Sequence, residues 1–521
     1  MPAPVPYDIA HDPTLLAGGS SGAASLRPLL ETVLDALADG AAERCGPLPA
    51  GGPAAPEANI GGTILPTEGI GAHEALGALV HALARGAADP ADPHCVAHLH
   101  CPPLAVATAA DLAASALNPS LDSWDQAPAA SALEARVTAE LAALVHPFGS
   151  SPDALITTGG TESNLLGVLL ARERHPAELR VVCGANAHHS TRRATWLLGL
   201  RPPHTVPTPS GVLDPAAVRA AIERLPPGAH ALVVATAGTT DSGAVDPLPA
   251  LADLVAEEGG RRPASLHVDA AYGGPLLFSP RHRALLAGVG RADTVTLDLH
   301  KLGWQPIAAG LLTVPDRAAL IPLAHRADYL NADDDTEAGL PDLLGRSLRT
   351  TRRADVLKIA VTLRALGRTG LAALVDDVLA AARLLARRIA DEPRLTLHAQ
   401  PAISTVLFRP TGVDDDRVAA IRRRLLADGS TVLGRAWAPD ASGRRTLWLK
   451  ATLLNPRVQE CDLDGLLKLV LEQAAEPAPA SPRGDARPAR PARPDALRGA
   501  PPDALPDAIP EQRRPPPHDR R

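Results

Sequence analysis

The stretch Thr157-Thr158-Gly159-Gly160-Thr161-Glu162-Ser163-Asn164 follows residues 154–157, which read as a strand, and opens residues 164–174, which read as a helix. Two adjacent glycines let a backbone approach a ligand closely, and the hydroxyls together with the unpaired N–H groups of a helix start suit a phosphate. The segment has neither the lysine of a Walker A loop nor the glycine spacing of a dinucleotide fingerprint. A Gly-Gly turn before a helix also serves as plain punctuation, so its meaning depends on its surroundings.

Those surroundings are an alternation of strand-like and helix-like segments from about residue 95 to about residue 320, which is the pattern of an α/β sheet. The expected strands are 154–157, 180–183, 231–235, 265–269, 294–298 and 308–314. Residues 131–145 read as a helix, because Leu133, Val137, Leu141 and Val145 recur every four residues on one face. After about residue 370 the order becomes helix, paired strands, helix, strands and helix, ending near Ala475. The expected organisation is a helical segment over 1–95 with a Pro/Gly linker at 46–56, a large α/β domain over 96–370, a smaller α+β domain over 371–475 and a Pro/Arg-rich tail over 476–521. The tail has no helical or strand periodicity and is expected to be disordered. No repeat of solenoid length is present.

A chain of 521 residues and 53.9 kDa has ample material for a large core, but aromatic residues make up only 2%, so alanine, leucine and valine must build it. The net charge of −7 argues against a nucleic-acid partner, and nine arginines against seven acids leave the tail only mildly basic. Small molecules are the expected ligands. Five scattered cysteines without a CxxC pair give no disulfide framework and suit a reducing compartment. No charged leader followed by an apolar stretch opens the chain, and no run is long enough to span a membrane, so a cytoplasmic protein is expected. His94, Cys95, His98, His100 and Cys101 are dense enough to suggest zinc, but on an irregular segment their side chains diverge, and no metal is expected.

Two further segments carry chemistry. In Leu266-His267-Val268-Asp269-Ala270-Ala271-Tyr272-Gly273-Gly274 a strand ends in an aspartate followed by very small residues, and an acid there faces the crevice where open α/β sheets bind ligands. A capping or turn aspartate is the bland alternative. In Thr294-Val295-Thr296-Leu297-Asp298-Leu299-His300-Lys301 a strand delivers a lysine beside a histidine, and a lysine flanked by apolar residues can lose its proton and form an imine. Most lysines are merely solvated. An anion cradle, a crevice aspartate and an imine-capable lysine together match the needs of pyridoxal phosphate: a phosphate site, a carboxylate for the pyridine nitrogen and a Schiff-base lysine.

At this point the sequence resembles the group II pyridoxal-phosphate decarboxylases, and within them the 2,4-diaminobutyrate branch. The resemblance runs from about residue 94 to 455 through HLHCPP (98–103), SLDSWDQAP (120–128), TTGGTESN (157–164), NAHHS (186–190), TAGTTDSGAVDP (236–247), HVDAAYGG (267–274), DLHK (298–301) and SLRTTRRADVLK (347–358). It implies the type I, aspartate aminotransferase-like fold, with a mostly parallel sheet in the large domain and a smaller C-terminal α+β domain. It also implies pyridoxal 5'-phosphate as cofactor and a homodimer with SWDQ near the partner. Lys301 then looks like the lysine that binds the coenzyme, Asp269 like the partner of its ring nitrogen, and His188 like the imidazole stacked on the ring. Ala271 would pack on the other face and Thr240 beside the ring. Thr161 and Glu162 would hold the phosphate, with Asp298 and His300 close by.

The implied reaction is decarboxylation of an amino acid. In the aromatic and glutamate branches a mobile-loop tyrosine is thought to return the proton, but this chain has only Tyr7, Tyr272 and Tyr329, and Leu343 stands in the matching place. Tyr329, His188 and Lys301 remain as donors. His100 and Cys101 are expected to wall the substrate side and to favour a small polar substrate. The acidic loop 328–337 suits a diamino acid by steering, or is simply solvated, and Asp122 or Asp125 would be direct partners of a distal ammonium. Lysine, ornithine or aromatic decarboxylation, transamination on the same fold, and a non-catalytic scaffold working through the tail are the competing readings.

Overall fold

The computed structural model describes residues 16–175, 178–258, 262–325 and 327–476. The segment read as a tail lies outside the described residues, except Glu476.

Seven segments form one sheet: β1 (Asp153–Thr157), β2 (Leu179–Gly184), β3 (His204–Val206), β4 (His230–Thr236), β5 (Ala264–Ala270), β6 (Thr294–Asp298) and β7 (Gly310–Val314). Their order is β1-β7-β6-β5-β4-β2-β3, and β7 alone runs against its neighbours. The central strands are near-continuous apolar runs because helices cover both faces; every residue of β4 is buried. Each expected strand is present. β3 went unread because three residues, two of them exposed, carry no pattern. The helix expected from Asn164 begins earlier, at Gly160, and runs to Arg174.

Register brings the functional strand ends into rows. Asp269 pairs with Thr236 on one side and Thr296 on the other, while Asp298 and Thr157 both pair with Gly310. Gly310 is a glycine for a steric reason: a Cβ there would lie 2.5 Å from the Cα of Gly159 and 2.4 Å from the Thr157 hydroxyl. Its absence lets the Gly-Gly turn fold across the strand ends.

Beyond this sheet, β8 (Leu395–Leu397), β9 (Thr405–Pro410), β10 (Gly434–Pro439) and β11 (Arg445–Thr452) form an antiparallel sheet in the order β10-β11-β9-β8. A long helix, Val356–Asp391, joins the two cores. Ile359 and Ala360 pack in the first, and Ala382, Leu385 and Ile389 in the second. Gly367, at φ 62°, breaks it near its start, and Leu371, Val375 and Leu379 beyond the break still pack in the first core. Residues 46–56 do not cross open solvent as a linker would: the Gly51 N–H donates to the Ala427 carbonyl (2.9 Å) and Pro47 accepts from the Asp89 N–H (2.9 Å). Among the described residues no helix is long and apolar enough to cross a membrane.

The TTRR segment acts as a clasp. Arg352 is buried; its Nη1 donates to both oxygens of buried Glu134 (2.8 and 2.9 Å) and its Nε to the Leu121 carbonyl. Arg353 reaches Asp111 and Asp355, which also flank fully buried Lys358. Removing one side of a buried pair strands the other charge. Arg352→Ala is therefore expected to lower unfolding free energy by about 3–5 kcal/mol, read by denaturant titration; a loss below about 1 kcal/mol would show that Glu134 finds another partner.

Candidate active site

The carboxyl ends of β4, β5 and β6, the Gly-Gly turn and the second sheet enclose a cavity of ≈ 440 Å³. Asp269, at the end of β5, is 6% exposed. Its Oδ2 accepts from Asn164 Nδ2 (2.7 Å) and its Oδ1 from the Ala271 N–H (3.1 Å). Lys301 follows β6 by one turn, so its Nζ returns to Asp298 Oδ2 at 2.8 Å. His188 caps the helix His189–Leu197 and lines the same cavity. Burial is the main cause that pushes the His188 imidazole below the usual histidine range, and the Asp269 charge opposes it.

The anion cradle is built from backbone. Gly160 begins its helix with N–H groups that have no partner inside the helix. A Cβ on Gly160 would come within 2.9 Å of the Ala271 Cβ and 3.1 Å of Asp298 Oδ2, so a side chain would fill the cradle. Thr161 lines it. Glu162 turns back instead, its Oε2 accepting from the Thr158 N–H (2.6 Å) and hydroxyl (2.7 Å), while Arg349 pairs with its other oxygen (3.3 Å). Two buried polar atoms among the described residues, Asp298 Oδ1 and His300 Nδ1, have no hydrogen-bond partner although both residues line the cavity. Buried atoms left in this state are unusual. A small-residue cradle, two unpartnered polar atoms, an amine and a carboxylate fit a phosphorylated, aldehyde-bearing ring.

Lys301, Asp269, His188, Thr161, Glu162, Thr240, Ala271, Asp298 and His300 all line this cavity. His100, Cys101 and Tyr329 do not. His98 adopts φ 63°, which turns His98 and Leu99 toward the cavity. His100 is left exposed, and Cys101 points into the core, where its Sγ donates to the His300 carbonyl and burial pushes the thiol up to about 12. The expected wall is thus displaced by two residues. Tyr329 is 84% exposed and sits with Trp124, Asp125 and Gln126 around a separate depression. Asp125 accepts from Ser123 and Asp122 from Gln126, so in one chain neither faces the cavity. Leu343 packs with Leu121, Ala127 and Ala354. Among the described residues no three His, Cys, Asp or Glu side chains gather in a way that could hold a metal ion; His94 Nε2 donates to the Asp462 carbonyl.

Two residues at the site escaped sequence reading. Asn164 closes the quoted motif yet bonds to Asp269, Ser190, His267 and Thr296. Lys450, on β11, is 8% exposed, lines the cavity and donates to the Thr240 carbonyl (3.0 Å); burial is the main cause that lowers its pKa. The available signal was a lysine inside the otherwise apolar run LWLKAT. Tyr272 ties the two sheets together through Ser404 (2.8 Å) and Thr405 (3.0 Å).

Residues 72–411 match the family described as the pyridoxal-dependent decarboxylase conserved domain. The chain belongs to this family. It is a pyridoxal-phosphate-dependent decarboxylase. It is 40% identical over 436 residues to an L-2,4-diaminobutyrate decarboxylase of Rhizobium meliloti (strain 1021), covering 79% of this chain and 84% of that protein. A protein of the same description from Acinetobacter baumannii is 33% identical over 438 residues, 78% of this chain and 85% of the relative. The crystal structure of the glutamate decarboxylase domain of diaminobutyrate-pyruvate transaminase and L-2,4-diaminobutyrate decarboxylase from Vibrio parahaemolyticus superposes with a TM-score of 0.77 at 30% identity, covering 88% of this chain and 97% of that one. The mostly parallel sheet with a small antiparallel one is therefore the expected type I fold.

Proposed function

We propose that this decarboxylase acts on a small diamino acid, with L-2,4-diaminobutyrate as substrate and 1,3-diaminopropane and carbon dioxide as products. The observation that carries the reading is the convergence of Lys301, Asp269 and His188 on one cavity; the choice of substrate is supported by the printed activities of the Rhizobium and Acinetobacter relatives. Lys301 would hold the coenzyme, Asp269 would face its ring nitrogen, His188 and Ala271 would flank the ring, and Thr240 would lie at its edge. Thr161 and Glu162, through their N–H groups, would hold the phosphate with His300, beside Asp298. The bound coenzyme supplies an electron sink for the pair left when the carboxylate departs.

The chain's own residues do the rest. Lys450 offers a largely buried ammonium from the second sheet, suited to an anionic group of the substrate. Lys301 and His188 line the cavity within one chain and Tyr329 does not, which favours the first two of the three proton donors. We assign the donor to Lys301 Nζ, which lies 2.8 Å from Asp298 Oδ2.

A homodimer is part of the proposal. Leu34, Leu37, Leu79 and Leu83 are exposed on the paired helices Gly22–Arg44 and Ala72–Gly86, an apolar surface that suits a second subunit. All five cysteines are free, in keeping with a reducing cytoplasm.

A substrate panel tests the reading. L-2,4-diaminobutyrate is expected to release carbon dioxide with kcat/KM at least about tenfold above L-ornithine and L-lysine, since extra methylenes discriminate by that order. Consumption of L-tyrosine or L-glutamate with the three diamino acids untouched would overturn the substrate choice, and keto-acid formation without carbon dioxide would indicate transamination.

A further inference from the structure

We propose that Asn164 is a positioning residue whose hydrogen-bond chain fixes opposite charge states on the two groups flanking the coenzyme ring, holding Asp269 ionised and His188 neutral with its Nε2–H turned to the cavity. The inference rests on the coenzyme roles proposed above for Asp269 and His188.

With Asp269 as a carboxylate, the chain of bonds fixes the remaining protons in turn. The carboxylate of Asp269 can only accept, so the Asn164 atom 2.7 Å away is its NH₂ group. The same NH₂ donates its other hydrogen to Ser190 Oγ at 2.8 Å. The Asn164 Oδ1 must then accept, and it does so from His267 Nε2 (2.9 Å) and the Thr296 hydroxyl (2.8 Å). His267 is therefore protonated on Nε2 and accepts the Thr294 hydroxyl at Nδ1 (2.7 Å); burial holds it near pKa 4, so it stays neutral. Ser190 Oγ, which accepts from Asn164, lies 2.8 Å from His188 Nδ1; its second lone pair leaves the direction of that bond open, and the backbone N–H of the same serine, which can only donate, settles it. The Ser190 N–H approaches the same nitrogen at 3.4 Å. With Nδ1 occupied as an acceptor, the His188 proton resides on Nε2.

The charge logic follows. A pyridinium facing Asp269 and an imidazolium stacked above it would repel each other, whereas a neutral imidazole stacks without that cost and still donates one hydrogen bond. The charged and titratable groups facing His188 are Asp269, His189, Lys301 and Asp298. Asp269 and Asp298 favour the imidazolium, whereas burial, His189 and Lys301 favour the neutral ring, and the donors from Ser190 act in the same direction as these.

The test uses full-length protein, with and without pyridoxal phosphate. Nitrogen-15 histidine NMR, with His188 assigned by its loss in His188→Gln, is expected to show the Nε2–H tautomer in coenzyme-free wild type. Ser190→Ala should raise the His188 pKa and move the acid limb of the kcat profile of the holoenzyme to higher pH, with Ser190→Thr restoring both. Asn164→Leu should lower kcat about tenfold to a hundredfold, the range for a lost bond to a charged group, with a shifted coenzyme absorbance band and a smaller change in KM. A wild-type Nδ1–H tautomer, or an unmoved acid limb in Ser190→Ala, overturns the proposal. A coenzyme that stays bound and active in Lys301→Arg would instead refute the coenzyme reading, which the tautomer measurement in coenzyme-free protein does not depend on.

Discussion

Lys301→Arg is expected to give a folded protein that loses decarboxylation by at least about a thousandfold and releases pyridoxal phosphate on gel filtration, because a guanidinium keeps the charge but cannot form the imine. The choice of arginine matters. Lys301 is the cation beside buried Asp298, whose other oxygen already has no partner among the described residues. Lys301→Ala would leave that carboxylate with only His300 Nε2, at 3.6 Å, beside it and cost about 1–3 kcal/mol of stability, so a loss of activity could be blamed on unfolding. Arginine retains the ion pair and isolates the covalent role. Borohydride treatment of the wild-type holoenzyme should bleach the coenzyme band and add its mass to the peptide carrying Lys301. Turnover within tenfold of wild type in Lys301→Arg, or label on Lys450, the second amine in the cavity, would place the linkage elsewhere.

The difference between these two lysines shows what a linear sequence reveals. The place of Lys301 at the cavity was legible because the signal is local: a buried strand ends, and the lysine arrives one turn later with an aspartate and a histidine beside it. The sheet was legible for a similar reason, since parallel core strands such as β4 are uninterrupted apolar runs closed by polar residues. Lys450 reaches the cavity from a strand about 150 residues later, and nothing near it in sequence announces the Thr240 carbonyl it contacts. Asn164 is similar: Asp269, its main partner, lies 105 residues away. His100 and Cys101 were misplaced because the turn at His98 needs a left-handed conformation in a residue that is not glycine, and local pattern does not reveal such a choice. The Pro/Gly composition of residues 46–56 likewise described the backbone's freedom but not the carbonyl of Ala427 that captures it.

Asp269→Asn is the second substitution with a large expected effect, and it separates charge from shape. The amide has the size of the carboxylate but no negative charge, so a ring nitrogen facing it loses the anion that keeps it protonated, and the electron sink weakens. The expected result is a fall in kcat of about a thousandfold or more, in line with losses on removing electrostatic support from developing charge. Coenzyme should be retained, since Lys301 and the cradle at Gly160 are untouched. The local network gives an independent readout. Asp269 accepts from two fixed donors, Asn164 Nδ2 and the Ala271 N–H, and an asparagine can present an oxygen to only one of them. Its own NH₂ must then face the other, so stability should fall by about 1–3 kcal/mol. Asp269→Ala leaves both donors without a partner and should be less stable still. Single-turnover carbon dioxide release, coenzyme absorbance and thermal unfolding of the three proteins distinguish the effects. If Asp269→Asn turns over at close to the wild-type rate with coenzyme bound, the ring nitrogen has no need of this carboxylate, and Asp269 is a structural acid at a strand end.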